Sequence, residues 1–277
     1  MSIKTAMYNL IDTHAHLDGE EFNNDINDVL DRAQKTGVKT ILIPNINGTT
    51  INNVLDTCKR HTGTLYPMIG LHPEDVKEKE EYDRVLDSME AILKSHTDNT
   101  CQFIAIGEIG LDFYWDDTYK KEQKEAFERQ IRWAETYHLP LMIHSRAAHK
   151  ELIEIMEAHR HSNIKGVFHC FTGNVDEAKE LLSFDGFMLG IGGVATFKKS
   201  NLPEVLASTV PLSRIVLETD APYLAPVPYR GKRNESAFIA NIAQKIAEIY
   251  HCTLNEVATT TTENAIKMFG TAIQKTI

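Results

Sequence analysis

Two histidines one residue apart, His14 and His16, follow the short apolar run Tyr8 to Ile11 near the start of the chain. In a β-strand, residues i and i+2 point to the same face, so a His-x-His pair at a strand end directs two imidazoles toward one point. Imidazole nitrogen is a common ligand of zinc and other transition metals. Two surface histidines give the same pattern, so the metal hypothesis requires further ligands at the ends of other strands.

Ionisable residues do stand at the ends of other apolar segments. The fourth candidate strand ends at Glu108, the fifth at His144, the sixth at His169 and the eighth at Asp220. Each of them alone is compatible with a buried histidine or with a carboxylate in a salt bridge. Burying a charge is costly unless it is paired or bound to a metal. Their recurrence at five strand ends therefore favours one shared metal site.

This ligand set contains oxygen and nitrogen but no thiolate, which suits Zn, Mn, Mg or Co. Six ligands are too many for one tetrahedral ion, and they suit two ions about 3.5–4 Å apart that share a bridging carboxylate. Glu108 is the predicted bridge, because it lies between two groups of ligands: His14, His16 and Asp220 on one side, His144 and His169 on the other. Such a pair of ions lowers the pKa of a bound water and holds the attacking and leaving oxygens of a phosphate ester.

The segments that position these residues alternate between strand and helix patterns. Short apolar runs predict eight strands, at Asn9–Asp12, Lys39–Pro44, Leu65–Leu71, Gln102–Glu108, Leu141–His144, Gly166–Cys170, Phe187–Ile191 and Arg214–Glu218. Apolar residues at helical spacing predict helices between them, at Asp25–Gly37, Asp83–Leu93, Thr118–His138, Lys150–His159 and Val175–Leu182. Continuous apolar strands are typical of parallel sheets that are buried on both faces.

Eight strands alternating with helices predict an α/β protein with a TIM (β/α)8 barrel, whose active site lies at the C-terminal ends of the strands. An open doubly wound sheet is the alternative, but Gly190-Ile191-Gly192-Gly193 does not fit the dinucleotide-binding glycine pattern. Two additional C-terminal helices, Glu235–Tyr250 and Thr253–Phe269, are expected to pack outside the barrel and close its bottom or side.

Composition limits the remaining possibilities. The length of 277 residues and 42% hydrophobic content suit one barrel domain spanning residues 1–277. The net charge of −10 argues against a broad basic surface for nucleic acid, although it leaves room for a local basic cleft. The four cysteines form no Cys-x-x-Cys pair and are expected to be reduced and buried. No signal peptide or membrane span is evident, which predicts a soluble, cytoplasmic protein, expected to be a monomer.

Several ordered motifs extend over residues 9 to 269: Asp12-Thr-His14-Ala-His16-Leu-Asp18, Gly70-Leu-His72-Pro73, Gly107-Glu108-Ile-Gly-Leu-Asp112, His144-Ser-Arg146, His169-Cys-Phe171 and Glu218-Thr-Asp220-Ala-Pro-Tyr-Leu-Ala-Pro226. Together they resemble the TatD-type metal-dependent hydrolases, which belong to the amidohydrolase-like barrels. Two departures are visible: Ala147 stands where the family often has an acid, and Ser236 where it usually has proline.

The resemblance implies a deoxyribonuclease, more narrowly a 3′–5′ exonuclease that uses divalent metal (Mg, Mn or Zn) and takes DNA as its substrate. It implies that one ion is held by His14, His16, Glu108 and Asp220, and the other by Glu108, His144 and His169. Asp220 is also the implied general base that orients the nucleophilic water, so that Glu108 and Asp220 are the two catalytic residues.

Three further residues are candidates for substrate contact. His72 follows the third strand and Arg146 follows His144, and each could contact a phosphate or be purely structural. Arg230 begins a basic cluster with Lys232 and Arg233, which could contact the DNA backbone or be merely solvated. Phe113, Tyr114 and Trp115 after the fourth strand could stack on bases or pack on neighbouring helices.

Two other functions remain open at this point. The same barrel and metals could act on a small amide or ester, but many such relatives bridge their metals with a modified lysine where this chain has Glu108. A metal-binding scaffold without turnover is the third possibility, although structural metal sites are normally closed and mononuclear.

Overall fold

A computed structural model describes residues 8–95, 102–270 and 273 of the chain. Within them, parallel strands alternate with helices in the predicted order. The strands are β1 (Leu10–Asp12), β2 (Val38–Ile43), β3 (Leu65–Pro67), β4 (Ile106–Asp112), β5 (Leu141–Arg146), β6 (Gly166–Phe168), β7 (Phe187–Ile191) and β8 (Ile215–Leu217). The helices are α1 (Ile26–Lys35), α2 (Ile51–Arg60), α3 (Lys79–Ser95), α4 (Lys120–Tyr137), α5 (His149–Ala158), α6 (Val175–Leu182), α7 (Leu202–Thr209), α8 (Ile239–Tyr250) and α9 (Leu254–Phe269).

The strands follow one another in chain order around a ring. Regular parallel ladders join β1 to β3 and β4 to β8. Single parallel bridges span the two seams between these sheets, from Ile69 to Ile106 and from Ala15 to Ala221. Backbone hydrogen bonds reinforce both seams, including Thr13 N–H to the Leu217 carbonyl at 3.0 Å. The architecture is therefore the predicted TIM barrel rather than an open sheet.

The barrel interior is a separate apolar cluster with side chains from around the whole ring. The strand segments contribute Ile11, Leu42, Met68, Ala105, Met142, Val167, Met188 and Val216. Side chains of α9, among them Met268 and Phe269, pack against this cluster, and Asn264 donates hydrogen bonds to the carbonyls of Leu212 and Ile215 below β8. Helix α9 thus closes the bottom of the barrel and leaves the C-terminal ends of the strands open.

The helices α2 and α7 were missed by the sequence patterns, and the fourth strand was misplaced. The sequence predicts that this strand ends at Glu108, but β4 continues to Asp112, so Glu108 lies inside the strand. The pairing of β4 with β5 is irregular between Ile106 and Ile109. An irregularity of this kind redirects a side chain, which explains how Glu108 turns toward the barrel mouth.

No helix of the described ranges is both long and apolar enough to cross a membrane. Cys58 is fully buried, whereas Cys170 and Cys252, both free thiols, are only partly buried. The prediction that the cysteines are buried is therefore wrong for Cys170 and Cys252, which are partly exposed. Cys101 lies outside the described residues.

Candidate metal centre

Glu108 occupies the middle of the barrel mouth, and its two carboxylate oxygens face different groups of histidines. Oε2 lies 3.2 Å from His14 Nε2 and 3.7 Å from His16 Nε2. Oε1 lies 3.0 Å from His144 Nδ1 and 3.2 Å from His169 Nε2. This is the arrangement expected of a carboxylate that bridges two ions.

The seam between β1 and β8 builds the first group. The backbone N–H of Asp220 donates to the His14 carbonyl at 2.9 Å, and the N–H of His16 donates to the Ala221 carbonyl at 2.7 Å. As a result, Asp220 Oδ1 lies 3.6 Å from His16 Nε2 and 3.8 Å from His14 Nε2. Asp220 has a φ of 57°, a left-handed conformation that non-glycine residues adopt rarely and mostly at functional sites.

Asp12 strengthens the same seam from below. Its carboxylate accepts hydrogen bonds from the backbone N–H of Thr219 at 2.9 Å and from the Thr219 hydroxyl at 2.6 Å. Complete burial raises the pKa of Asp12 to about 7, although these hydrogen bonds oppose the shift. Asp12 therefore joins the first and last strands of the barrel.

The second group is positioned by β5 and β6. His144 pairs with Gly110 across the β4–β5 ladder. Gly110 has a φ of +136°, and a Cβ there would collide with the His144 carbonyl, so the close approach of the two strands requires glycine. His169 follows β6, and its ring stacks on that of His14 with centroids 3.8 Å apart.

Two further carboxylates orient the histidines of this second group. Asp112 accepts from His144 Nε2 at 2.7 Å, which leaves His144 Nδ1 facing Glu108. Glu218 accepts from His169 Nδ1 at 3.1 Å and from the Cys170 backbone N–H at 2.6 Å. Histidine ligands of metals usually have such partners on the other ring nitrogen.

Sequence reasoning assigned no role to Glu218. The signal for Glu218 was its place at the last residue of a predicted apolar strand. Gly190 provides the space, because a Cβ at that position would overlap Glu218 Oε2. The structure therefore adds Glu218, which is fully buried, to the site.

The charges of the centre follow from these contacts. Burial raises the pKa of Glu108, but the surrounding histidines outweigh it and hold that pKa well below its usual range. Burial likewise opposes ionisation of Asp220, but the hydrogen bond from His16 and the neighbouring charges of His169, His14 and His16 together outweigh it, so that the pKa of Asp220 is lowered. For His144, hydrogen bonds to two carboxylates overcome the effect of burial and raise the pKa to about 9. Glu108 and Asp220 are thus both ionised and can serve as ligands of cations.

The residues present fit divalent metal ions. Groups of three donor atoms lie within 4.8 Å of one another, among them His14, Glu108 and His169, and His14, His16 and Asp220. Cys170 lies in a further group, but burial raises the pKa of its thiol, which disfavours the thiolate needed for ligation. Among the described residues, the buried His14 Nδ1 has no hydrogen-bond partner. The structure brings all six predicted ligands together, and His72 joins Glu108 and His144 in a further group of donors.

A cavity of about 510 Å³ opens onto this centre. Of the three predicted substrate contacts, His72 and Arg146 line it and Arg230 does not. His72 Nδ1 accepts from the Glu74 backbone N–H at 3.2 Å, which directs its Nε2–H toward Glu108 Oε1, 3.4 Å away. Arg230 instead stacks on Phe197 with its Cζ 3.7 Å from the ring centroid.

The other cations of the predicted basic cluster are also directed elsewhere. Arg233 makes two hydrogen bonds to the carboxylate of Asp25, at 2.9 and 2.6 Å. Lys232 Nζ lies 5.9 Å from the Tyr229 ring centroid. The wall of the cavity is itself acidic, with Asp18, Glu21, Glu74 and Asp75 among its lining residues.

Comparisons with known proteins agree with this geometry. The sequence model of the family described as TatD related DNase matches residues 11–270. YabD of Bacillus subtilis, named as an uncharacterized metal-dependent hydrolase, is 36% identical over 260 residues, which cover 94% of this chain and 98% of YabD. YcfH of Escherichia coli K12, named in the same words, is 32% identical over 94% of this chain and 95% of its own length.

Solved structures give the same result. The crystal structure of YjjV, described as a TatD homolog from Escherichia coli K12, superimposes with a TM-score of 0.85 at 30% identity, covering 94% of this chain and 97% of YjjV. A TatD family hydrolase from Entamoeba histolytica has a TM-score of 0.82 at 23% identity over 95% of this chain and 98% of its own, which supports the fold. The chain therefore belongs to the TatD family of metal-dependent hydrolases.

Proposed function

We propose that the protein hydrolyses phosphodiester bonds of DNA as a 3′–5′ exonuclease that uses two divalent ions. The observation that carries this proposal is the position of Glu108, whose two oxygens face two separate groups of donors. His14, His16 and Asp220 would complete one ion site with Glu108, and His144 and His169 would complete the other. Two ions held in this way supply positive charge to the phosphate oxygens and make a water molecule more acidic.

Asp220 is the proposed base. Its pKa is lowered, so its carboxylate is free to accept a hydrogen bond, and it lines the cavity with 15% of its side chain exposed. A carboxylate within hydrogen-bond reach of a water orients that water and takes up its proton. Glu108, by contrast, is only 3% exposed and surrounded by imidazoles, which suits it to holding ions rather than protons.

Arg146 supports a phosphate-bearing substrate. It is the last residue of β5, the strand that presents His144, and it lines the cavity together with His144. A guanidinium at this place offers N–H donors to a phosphate oxygen beside the ions. A neutral amide or ester has no comparable need for it.

The test is a time course with end-labelled single- and double-stranded DNA and RNA, each with Mg, Mn or Zn, beside amide and carboxylic ester substrates. We expect DNA to be shortened from its 3′ end. Glu108→Ala and Asp220→Asn should abolish cleavage while circular dichroism shows a folded barrel. Asp117→Asn, an exposed carboxylate in a surface ion pair, is the control that should cleave normally. Faster turnover of an amide or ester than of DNA, or full activity of Asp220→Asn, would contradict the proposal.

A further inference from the structure

Two exposed aromatic side chains, which the proposed mechanism does not use, form a cluster with the Arg146 guanidinium beside the metal centre. Tyr114 and Trp115 follow β4 and are 54% and 75% exposed. The Arg146 Cζ lies 3.7 Å from the Tyr114 ring centroid and 5.5 Å from that of Trp115. The two aromatic rings meet edge to face with centroids 4.7 Å apart. Water thus reaches a large aromatic surface at the rim of the cavity.

The barrel holds this cluster in a fixed place. Asp112 Oδ1 accepts a hydrogen bond from the Tyr114 backbone N–H at 2.9 Å, while its Oδ2 accepts from His144 at 2.7 Å. Phe113, which lies between Asp112 and Tyr114, donates its backbone N–H to the Arg146 carbonyl at 3.0 Å and so continues the β4–β5 pairing. The aromatic pair is therefore connected through one carboxylate to a proposed metal ligand.

The charges around the cavity indicate what such a cluster would bind. Seven acidic side chains line the cavity, three of them in or beside the metal centre, and Arg233 is already paired with Asp25. A phosphate backbone therefore finds few free cations near the mouth. Stacking of a base on aromatic rings does not depend on free cations, because every base has a π-face, and a stacked arginine adds a cation–π contribution.

We infer that Tyr114, Trp115 and Arg146 form a stacking site for an unpaired nucleobase of the strand whose phosphate lies at the metal centre. This inference rests on the proposed function and adds residues that hold the substrate through its base. The face of Trp115 provides the stacking surface. Arg146 fixes the tilt of Tyr114 and directs its remaining N–H groups toward the phosphate.

Binding is measured with the metal-loaded protein and a short phosphorothioate oligothymidylate that resists cleavage. An abasic strand of the same length and backbone is the comparison ligand. Trp115 is a built-in reporter, because the only other tryptophan of the sequence, Trp133, is 4% exposed. We expect the base-bearing strand, but not the abasic strand, to quench the exposed tryptophan emission.

Trp115→Ala should weaken binding of the base-bearing strand about tenfold, within the range for loss of one stacking residue, and leave binding of the abasic strand unchanged. Trp115→Phe should restore most of the affinity. Val227→Ala removes another exposed apolar side chain and should bind like wild type. Metal content and circular dichroism of each variant check that the centre and the fold are intact.

Equal affinity of wild type and Trp115→Ala for the base-bearing strand would overturn the stacking site, as would the same loss for both strands. These outcomes are separate from failure of the proposed function. If the metal-loaded wild type cleaves no DNA, the nuclease assignment fails; if it cleaves DNA and Trp115→Ala binds it normally, only the stacking site fails.

Discussion

Replacing Glu218 tests whether the second ion site depends on a carboxylate that contacts no ion. Glu218 Oε1 accepts two hydrogen bonds, from His169 Nδ1 and from the Cys170 N–H, and the residue is fully buried. The first bond fixes the ring so that Nε2 faces Glu108. Glu218→Gln keeps the shape but removes the charge. Glu218→Ala removes the acceptor of both hydrogen bonds and releases the ring.

The size of the effect follows from these contacts. Loss of a partner on the outer nitrogen of a metal-bound histidine costs about 10–100-fold in metal affinity or activity. We expect about 10-fold for Glu218→Gln, because a neutral oxygen still accepts, and about 100-fold for Glu218→Ala. Gly190→Ala should cause a similar loss of metal affinity although Glu218 itself is unchanged, because the added methyl group would displace Glu218 Oε2.

Metal affinity is measured by calorimetric titration of Mn²⁺ into metal-free protein, together with the rate of DNA cleavage. Glu180→Gln is the matched control, because Glu180 pairs with His149 at 2.7 Å on the exposed surface. One binding step should weaken in the Glu218 variants and neither step in the control. Two unchanged steps in folded Glu218→Ala would refute the orienting role.

Three further outcomes are expected. Metal affinity should rise as the pH increases toward 9, because an ion must displace the proton of His144, whose pKa is raised from an ordinary 6.5 to about 9. The protonated His144 side chain also stabilises the metal-free protein, and this stabilisation is fully present below pH 6.5 and is lost as the pH passes about 9. Thermal unfolding with and without Mn²⁺ measures this pH dependence. Asp12→Ala should lower the free energy of unfolding in urea by about 1–3 kcal/mol for each donor of Thr219 left unpaired. Arg230 lies outside the cavity but is exposed, so Arg230→Ala should reduce the salt slope of DNA binding by up to about 1 through backbone phosphates beyond the cavity, whereas Arg233→Ala, which removes an already paired cation, should leave the slope unchanged.

Much of the barrel and all six proposed ligands could be predicted from the sequence because the signals are local. Short apolar runs mark the strands, and a parallel barrel brings the residues that follow them to one mouth. His14 and His16 are separated by one residue in the chain, and their Nε2 atoms lie 3.2 Å apart in the structure. Once the fold class is known, the positions of these residues at strand ends are enough to predict that they share one centre.

The remaining features depend on pairings between distant residues. Glu108 lies inside β4 because the ladder with β5 is irregular there, and no residue type announces that irregularity. Glu218 is read as the end of an apolar strand until its contact with His169, 49 positions away, is known. The cations of the basic cluster at Arg230, Lys232 and Arg233 likewise appear available for DNA from the sequence alone. In the structure, Arg233 is paired with Asp25, 208 positions away.

The central claim is that Glu108 bridges two divalent ions. Anomalous diffraction from crystals of the Mn²⁺-loaded protein tests it directly, because each ion gives its own peak. We expect two peaks about 3.5–4 Å apart, one beside each carboxylate oxygen of Glu108. A single peak, or two peaks of which one does not contact Glu108, would contradict the account.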